Sequence, residues 1–131
     1  MIIDLTSCPV AIARLAAILA DQGIALRAVA FESRHNQMME AHTPVGSMRV
    51  VVDRGQWFVE LASPGHAEYF DTAVWEACLR GGPVSLELIP LDEQVSWFEA
   101  ALRSEDTRRC SLECLLGARQ RRAYGRMGIA F

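Results

Sequence analysis

The chain has no lysine: all 13 of its basic residues are arginine. It also has no long uninterrupted apolar run. The longest such stretch, residues 9–20, is broken by Arg14 and preceded by Asp4 where a signal peptide carries basic residues, so neither a signal peptide nor a membrane span is expected. A cytoplasmic protein is the expectation that follows. Four cysteines (Cys8, Cys78, Cys110, Cys114) form no CxxC pair. Cys110 and Cys114, at i and i+4, suit neither a structural zinc site nor an easy disulfide, so reduced, buried thiols are expected. Missing too are a helical HExxH, a GxSxG elbow and a glycine-rich phosphate loop; Gly65 and the pair Gly81-Gly82 read as turn glycines. His35, Glu40 and His42 share one segment, but no third or fourth ligand is indicated, and no metal, cofactor or catalytic residue is assigned. There is no internal repeat, low-complexity tract or linker. With 131 residues, 51% of them hydrophobic, the expectation is a single domain over 1–131 with a core of its own.

What is present is most readable over residues 47–79. Met48, Val50 and Val52 alternate with Arg49, Val51 and Asp53, and Trp57, Val59 and Leu61 alternate with Phe58, Glu60 and Ala62. Period two means strands. Asp53-Arg54-Gly55-Gln56 joins them, with Gly55 suited to the positive φ of a type I turn followed by a bulge, so the two strands are expected to be antiparallel. Beyond Pro64-Gly65, Asp71 is placed to cap a helix, Phe70 and Trp75 occupy the two positions of a hydrophobic staple, and Gly81 is placed to end it. Trp57, Val59, Phe70, Val74 and Trp75 are the expected inward-facing residues of this region.

Elsewhere the signals are helical or mixed. Residues 1–5 suggest a short strand. Thr6 or Ser7, then Pro9, open a helix with Ile12, Leu15, Ala16 and Leu19 on one face, closing at Gly23. Residues 24–31 read as a strand, residues 32–46 as a long polar loop with Met38 and Met39 in its middle, and residues 84–88 as a strand from the alternation of Val84, Leu86 and Leu88. A third helix over 92–103 carries Leu91, Val95, Phe98 and Leu102 on one side, a fourth spans 107–122, and residues from 125 onward form a tail. The fold class expected is α+β, a single domain with one mainly antiparallel sheet and helices packed against it.

Charge is distributed unevenly. Residues 1–106 hold 15 acidic residues and 7 arginines, net −8, whereas the Arg-rich C-terminal helix and tail, about residues 107–131, hold 1 acid and 6 arginines, net +5. Arg108, Arg109, Arg119, Arg121, Arg122 and Arg126 invite a nucleic-acid reading. The plainer reading is that they coat the last helix, favour its C-terminal dipole and pair with the acidic body. An acidic body steers a basic partner towards it. The expected partner-binding residues are Glu87, Asp92, Glu93 and Glu99, with Trp97 as an aromatic anchor lying off the apolar stripe of the third helix.

The pattern Gly55-Gln-Trp57-Phe-Val-Glu60-Leu, then Phe70-Asp71-x-x-x-Trp75-x-x-x-Leu79, resembles one met in small bacterial immunity proteins of polymorphic toxin and contact-dependent inhibition systems. It covers about a quarter of the chain. The resemblance implies a non-enzymatic inhibitor that binds a cognate toxin domain with a basic surface and occludes its active site. Residues 4–30, with Pro9, an amphipathic helix and Gly23-Ile24-Ala25-Leu26, are similar to the start of an ACT regulatory domain, which implies an amino-acid-binding module as the alternative. Val10 stands where that family has glycine, and the hairpin adds a strand to its βαββαβ order. An Arg-tail nucleic-acid binder is the other alternative.

Overall fold

A computed structural model describes residues 8–29 and 37–128. Five strands, β1 (Arg27–Val29), β2 (Gln37–Thr43), β3 (Gly46–Asp53), β4 (Gln56–Leu61) and β5 (Phe70–Asp71), follow one another in a sheet of the same spatial order. Every neighbouring pair is antiparallel. Helix α1 (Val10–Ala20) precedes the sheet; α2 (Thr72–Arg80), α3 (Leu91–Leu102) and α4 (Leu112–Arg126) follow it. The domain is α+β, as expected. Its order of elements departs from βαββαβ.

Period two sorts the sheet into a helix-covered face and an open one. Met39, Ala41, Met48, Val50, Val59, Leu61 and Phe70 are buried and share one cluster with Ile12, Leu15 and Leu19 of α1, Val74 and Trp75 of α2, Val95 and Phe98 of α3, and Leu115 of α4. The alternate residues form two rows on the open side. Val29, Met38, Val51 and Phe58 lie in register as an apolar row, and Arg27, Glu40, Arg49, Glu60 and Asp71 as a charged one. In the charged row Arg49 Nε lies 2.6 Å from Glu60 Oε1, and the Arg49 guanidinium stands 4.2 Å above the Tyr69 ring.

The hairpin between β3 and β4 differs from expectation in its turn. Asp53 and Gln56 pair directly, leaving a two-residue loop in which both Arg54 (φ 53°) and Gly55 (φ 80°) are left-handed. This is the mirror-image turn, whose twist matches that of the flanking strands. Gly46 is required for another reason. With φ at 132°, a Cβ there would meet the Ala62 carbonyl oxygen at 1.9 Å.

Residues 37–43 form a full strand where a polar loop is expected, pairing with β3 along their whole length. The expected strand at 84–88 does not form, because the outer edge of β4 is already occupied. The buried Gln94 side chain accepts the Val59 N–H (2.8 Å) and donates to the Trp57 carbonyl (3.2 Å), and Trp75 Nε1 donates to the Leu61 carbonyl (2.9 Å). Only the two-residue β5 pairs there as backbone. Leu86 and Leu88 remain exposed.

The helices follow their caps. Asp71 Oδ1 accepts the Val74 N–H at 3.1 Å, and Gly81 closes α2 at φ 71°. Helix α1 runs from Pro9, which stands at its N-cap position, and Gly23 turns the chain at φ 73°. The last helix is shorter at its start and longer at its end than expected. Asp106–Arg109 form a separate 3-10 turn, the chain extends at Cys110 and Ser111, and the Ser111 hydroxyl caps α4 by accepting the Cys114 N–H at 3.1 Å. The helix then continues through Gly125 to Arg126.

The expectation of four free thiols is overturned. Cys78 of α2 and Cys114 of α4 form a disulfide, their Cα atoms 6.0 Å apart, within the ordinary range for such a bridge. Spacing within the chain drew attention to Cys110 and Cys114 as a pair; the fold instead brings Cys114 to a residue 36 positions away. Cys8 and Cys110 are the free cysteines among the described residues. The expected strand at 1–5 and the cap at Thr6 or Ser7 lie outside the described residues, as does His35.

Candidate partner-binding groove

Helix α3 is amphipathic in three directions. Val95 and Phe98 are buried in the core. On a second side Arg14 of α1 donates to the Asp92 carbonyl (2.8 Å) and to Ser96 Oγ (3.1 Å), and its guanidinium lies 3.9 Å from the Asp92 carboxylate. Glu99 pairs with Arg103 at 3.6 Å. The third side carries Glu93, Trp97, Ala100, Ala101 and Ser104, spaced so that they line a cavity of about 550 Å³ between α3, α2 and the 3-10 turn. Thr72, Glu76, Leu79 and Arg80 form its α2 wall, with Ile89, Asp106 and Thr107 completing the lining.

The five expected binding residues therefore do not make one patch. Glu93 and Trp97 come together in the groove, Asp92 and Glu99 are engaged elsewhere by arginines, and Glu87 lines a separate cavity of about 180 Å³ with Phe58, Leu86, Leu88, Arg122 and Arg126. Trp97 is half-buried and held by its neighbours. Its Nε1 donates to Glu76 Oε2 at 2.7 Å, and its ring lies 6.3 Å from that of Trp75. The other Glu76 oxygen meets Arg80. Asp106 is taken by Arg109. Glu93 is exposed, and among the described residues its carboxylate has neither an ion pair nor a hydrogen bond.

Sequence reasoning missed Glu76 and Thr107. Glu76 was legible as the first member of an i, i+4 pair with Arg80. Thr107 carried no signal. It is 4% exposed, and its hydroxyl has no hydrogen-bond partner among the described residues.

The arginine-rich end is largely accounted for by pairing. Arg122 bonds Asp71, the α2 cap, while Arg119 reaches Glu68 at 3.1 Å and lies over the Phe70 ring. Arg108 and Arg109 pair locally with Glu105 and Asp106. Arg121 and Arg126 make no ion pair among the described residues.

Two arrangements elsewhere were tested for chemistry. His42 Nδ1 lies 3.2 Å from Ser47 Oγ on the open face of the sheet, a pairing that only the β2–β3 register reveals. No carboxylate among the described residues is hydrogen-bonded to that ring, so the third group that orients a base is not in place. The Cys110 thiol is pushed above its ordinary pKa by burial, with Arg109 opposing, which makes it a poor nucleophile at neutral pH. Among the described residues no cluster of His, Cys, Asp or Glu has metal-binding geometry, and no helix is long and apolar enough to cross a membrane.

No family model matches the chain, and no match is found among curated proteins or solved structures.

Proposed function

We propose that the protein is a non-enzymatic immunity protein that neutralises a cognate bacterial toxin domain by occluding a basic active-site cleft. The observation that carries this reading is the α2–α3 groove, where an unpaired carboxylate, Glu93, stands one helical turn from a fixed, half-buried tryptophan. Its lining includes three carboxylates and one arginine, a balance that favours a cationic partner. The rim charges govern encounter and selectivity, and the aromatic wall holds the docked complex. The sequence likeness to immunity proteins supports the same reading. Location follows from redox state: held as thiols, Cys78 and Cys114 fit a cytoplasmic inhibitor, whereas the disulfide suits an oxidising compartment such as the periplasm.

The test is co-expression with the toxin domain encoded next to this chain. Growth should be restored by the parent and lost with the folded variants Glu93→Lys and Trp97→Ala. Failure of the parent to protect against any neighbouring toxin domain overturns the reading.

A further inference from the structure

We infer that the α2–α3 groove receives a single arginine side chain of the partner, an inference that rests on the protein-binding reading above. Four features of the groove point to a guanidinium.

The first is charge. Glu76 is shared between Trp97 and Arg80, and Asp106 is paired with Arg109, so their carboxylates are already compensated. Glu93 is not, and an incoming cation meets it without displacing a resident partner.

The second is planarity. Trp97 lies four residues after Glu93 on the same helix face, and its indole N–H is tied to Glu76, which fixes the plane of the ring. A guanidinium stacks flat on an aromatic ring while donating in its own plane to a carboxylate; an ammonium is a point charge and more strongly hydrated. A ring face and a carboxylate one turn apart therefore suit arginine better than lysine.

The third is shape. Ala100 and Ala101 leave space beyond Trp97, and Leu79 and Ile89 supply apolar surface for the methylene stem. The cavity, about 550 Å³, exceeds one side chain and admits part of the segment that delivers it.

The fourth is independent of charge. Thr107 lines the same cavity, is 4% exposed, and its hydroxyl is unpartnered among the described residues. Buried hydroxyls ordinarily find a partner, and a guanidinium has five N–H donors to offer one.

The experiment titrates the isotopically labelled chain with N-acetyl-arginine amide, N-acetyl-lysine amide and the uncharged N-acetyl-citrulline amide, following the Trp97 indole N–H by NMR with Trp97→Phe for assignment. The arginine probe should move the Trp97 signal saturably at millimolar concentration. It should bind at least threefold more tightly than the lysine probe, and the citrulline probe weakest of all. Glu93→Gln should weaken the arginine probe severalfold and Thr107→Val by a smaller factor, while Glu99→Gln leaves it unchanged. A silent Trp97 signal in the folded protein, or an equal response to citrulline, overturns the inference. Should the probe bind as described but no toxin domain be neutralised, the arginine pocket stands and the toxin reading falls. Should a toxin domain be neutralised by a chain whose Trp97 ignores the arginine probe, the pocket falls and the toxin reading stands.

Discussion

Gln94 and Trp75 do at the sheet edge what a further strand would otherwise do. An edge strand presents backbone N–H and C=O groups that must find partners once buried. Gln94, 2% exposed, closes a ring of three bonds to Val59, Trp57 and, at 2.8 Å, the Ile89 carbonyl, while Trp75 takes the Leu61 carbonyl. Only an amide has both the donor and the acceptor this position needs. Replacing Gln94 by Ala leaves the Val59 N–H buried without a partner, at a cost of about 2–3 kcal/mol in equilibrium urea unfolding. Gln94→Glu should cost at least as much, since a carboxylate accepts the N–H but faces the two carbonyls without a donor. A loss below about 0.5 kcal/mol for Gln94→Ala would mean that water reaches this edge. In sequence Gln94 sits between Glu93 and Val95 with nothing to mark it, because its partners are backbone groups on β4.

At the scale of elements, two strand assignments show what pattern alone omits. Residues 84–88 alternate as a strand does but find no free edge. Residues 37–43, with Met, Ala, Glu and His, are poor in strand-forming types, yet they place Met39 and Ala41 inward and pair with the whole of β3. A strand exists only with its partner, and edge availability is a long-range property. The disulfide is long-range in the same sense. It joins α2 to α4, an attachment otherwise made by buried Leu115 and Ala118 and by the Arg122–Asp71 and Arg119–Glu68 pairs. Closing a loop across a separation of 36 residues should stabilise the domain by about 3–4 kcal/mol through the unfolded chain's lost entropy. Reduction, or Cys114→Ser, should therefore lower Tm by roughly 10 °C in a calorimetric scan. An unchanged Tm in reductant would show that the chain in solution holds Cys78 and Cys114 as thiols.

For the whole molecule, the relevant quantity is the field of an acidic body bearing an arginine-rich last helix. Ion pairing narrows which charges are free: Asp92 and Glu99 are compensated by Arg14 and Arg103, while Glu93 has no ion pair among the described residues. Steering depends on net charge near the surface, whereas holding depends on contact, so the two effects can be separated kinetically. With a basic partner in hand, Glu87→Lys and Glu93→Lys should both slow association severalfold at low salt, converging with the parent as salt rises and the screening length falls below about 8 Å. Only Glu93→Lys should also speed dissociation. Stopped-flow measurement across ionic strength checks this, and equal dissociation rates for the two variants would remove Glu93 from the interface.

The sequence by itself determined the α+β class, the β3–β4 hairpin, the capped helix α2 and the apolar faces of α1 and α3. These depend on period, on caps such as Asp71 and on turn residues such as Gly55, all of which act within a few residues of themselves. It also marked Glu93 and Trp97, because an i, i+4 spacing places two side chains on one helix face whatever lies opposite. Only the tertiary structure decided what lies opposite: that α2 supplies Glu76 to hold Trp97, that Thr107 closes the groove, that Cys114 reaches Cys78, and that Gln94 takes the place of a strand. Each of those joins residues at least 10 positions apart, and local periodicity does not encode which distant surfaces will meet when a shared core is buried.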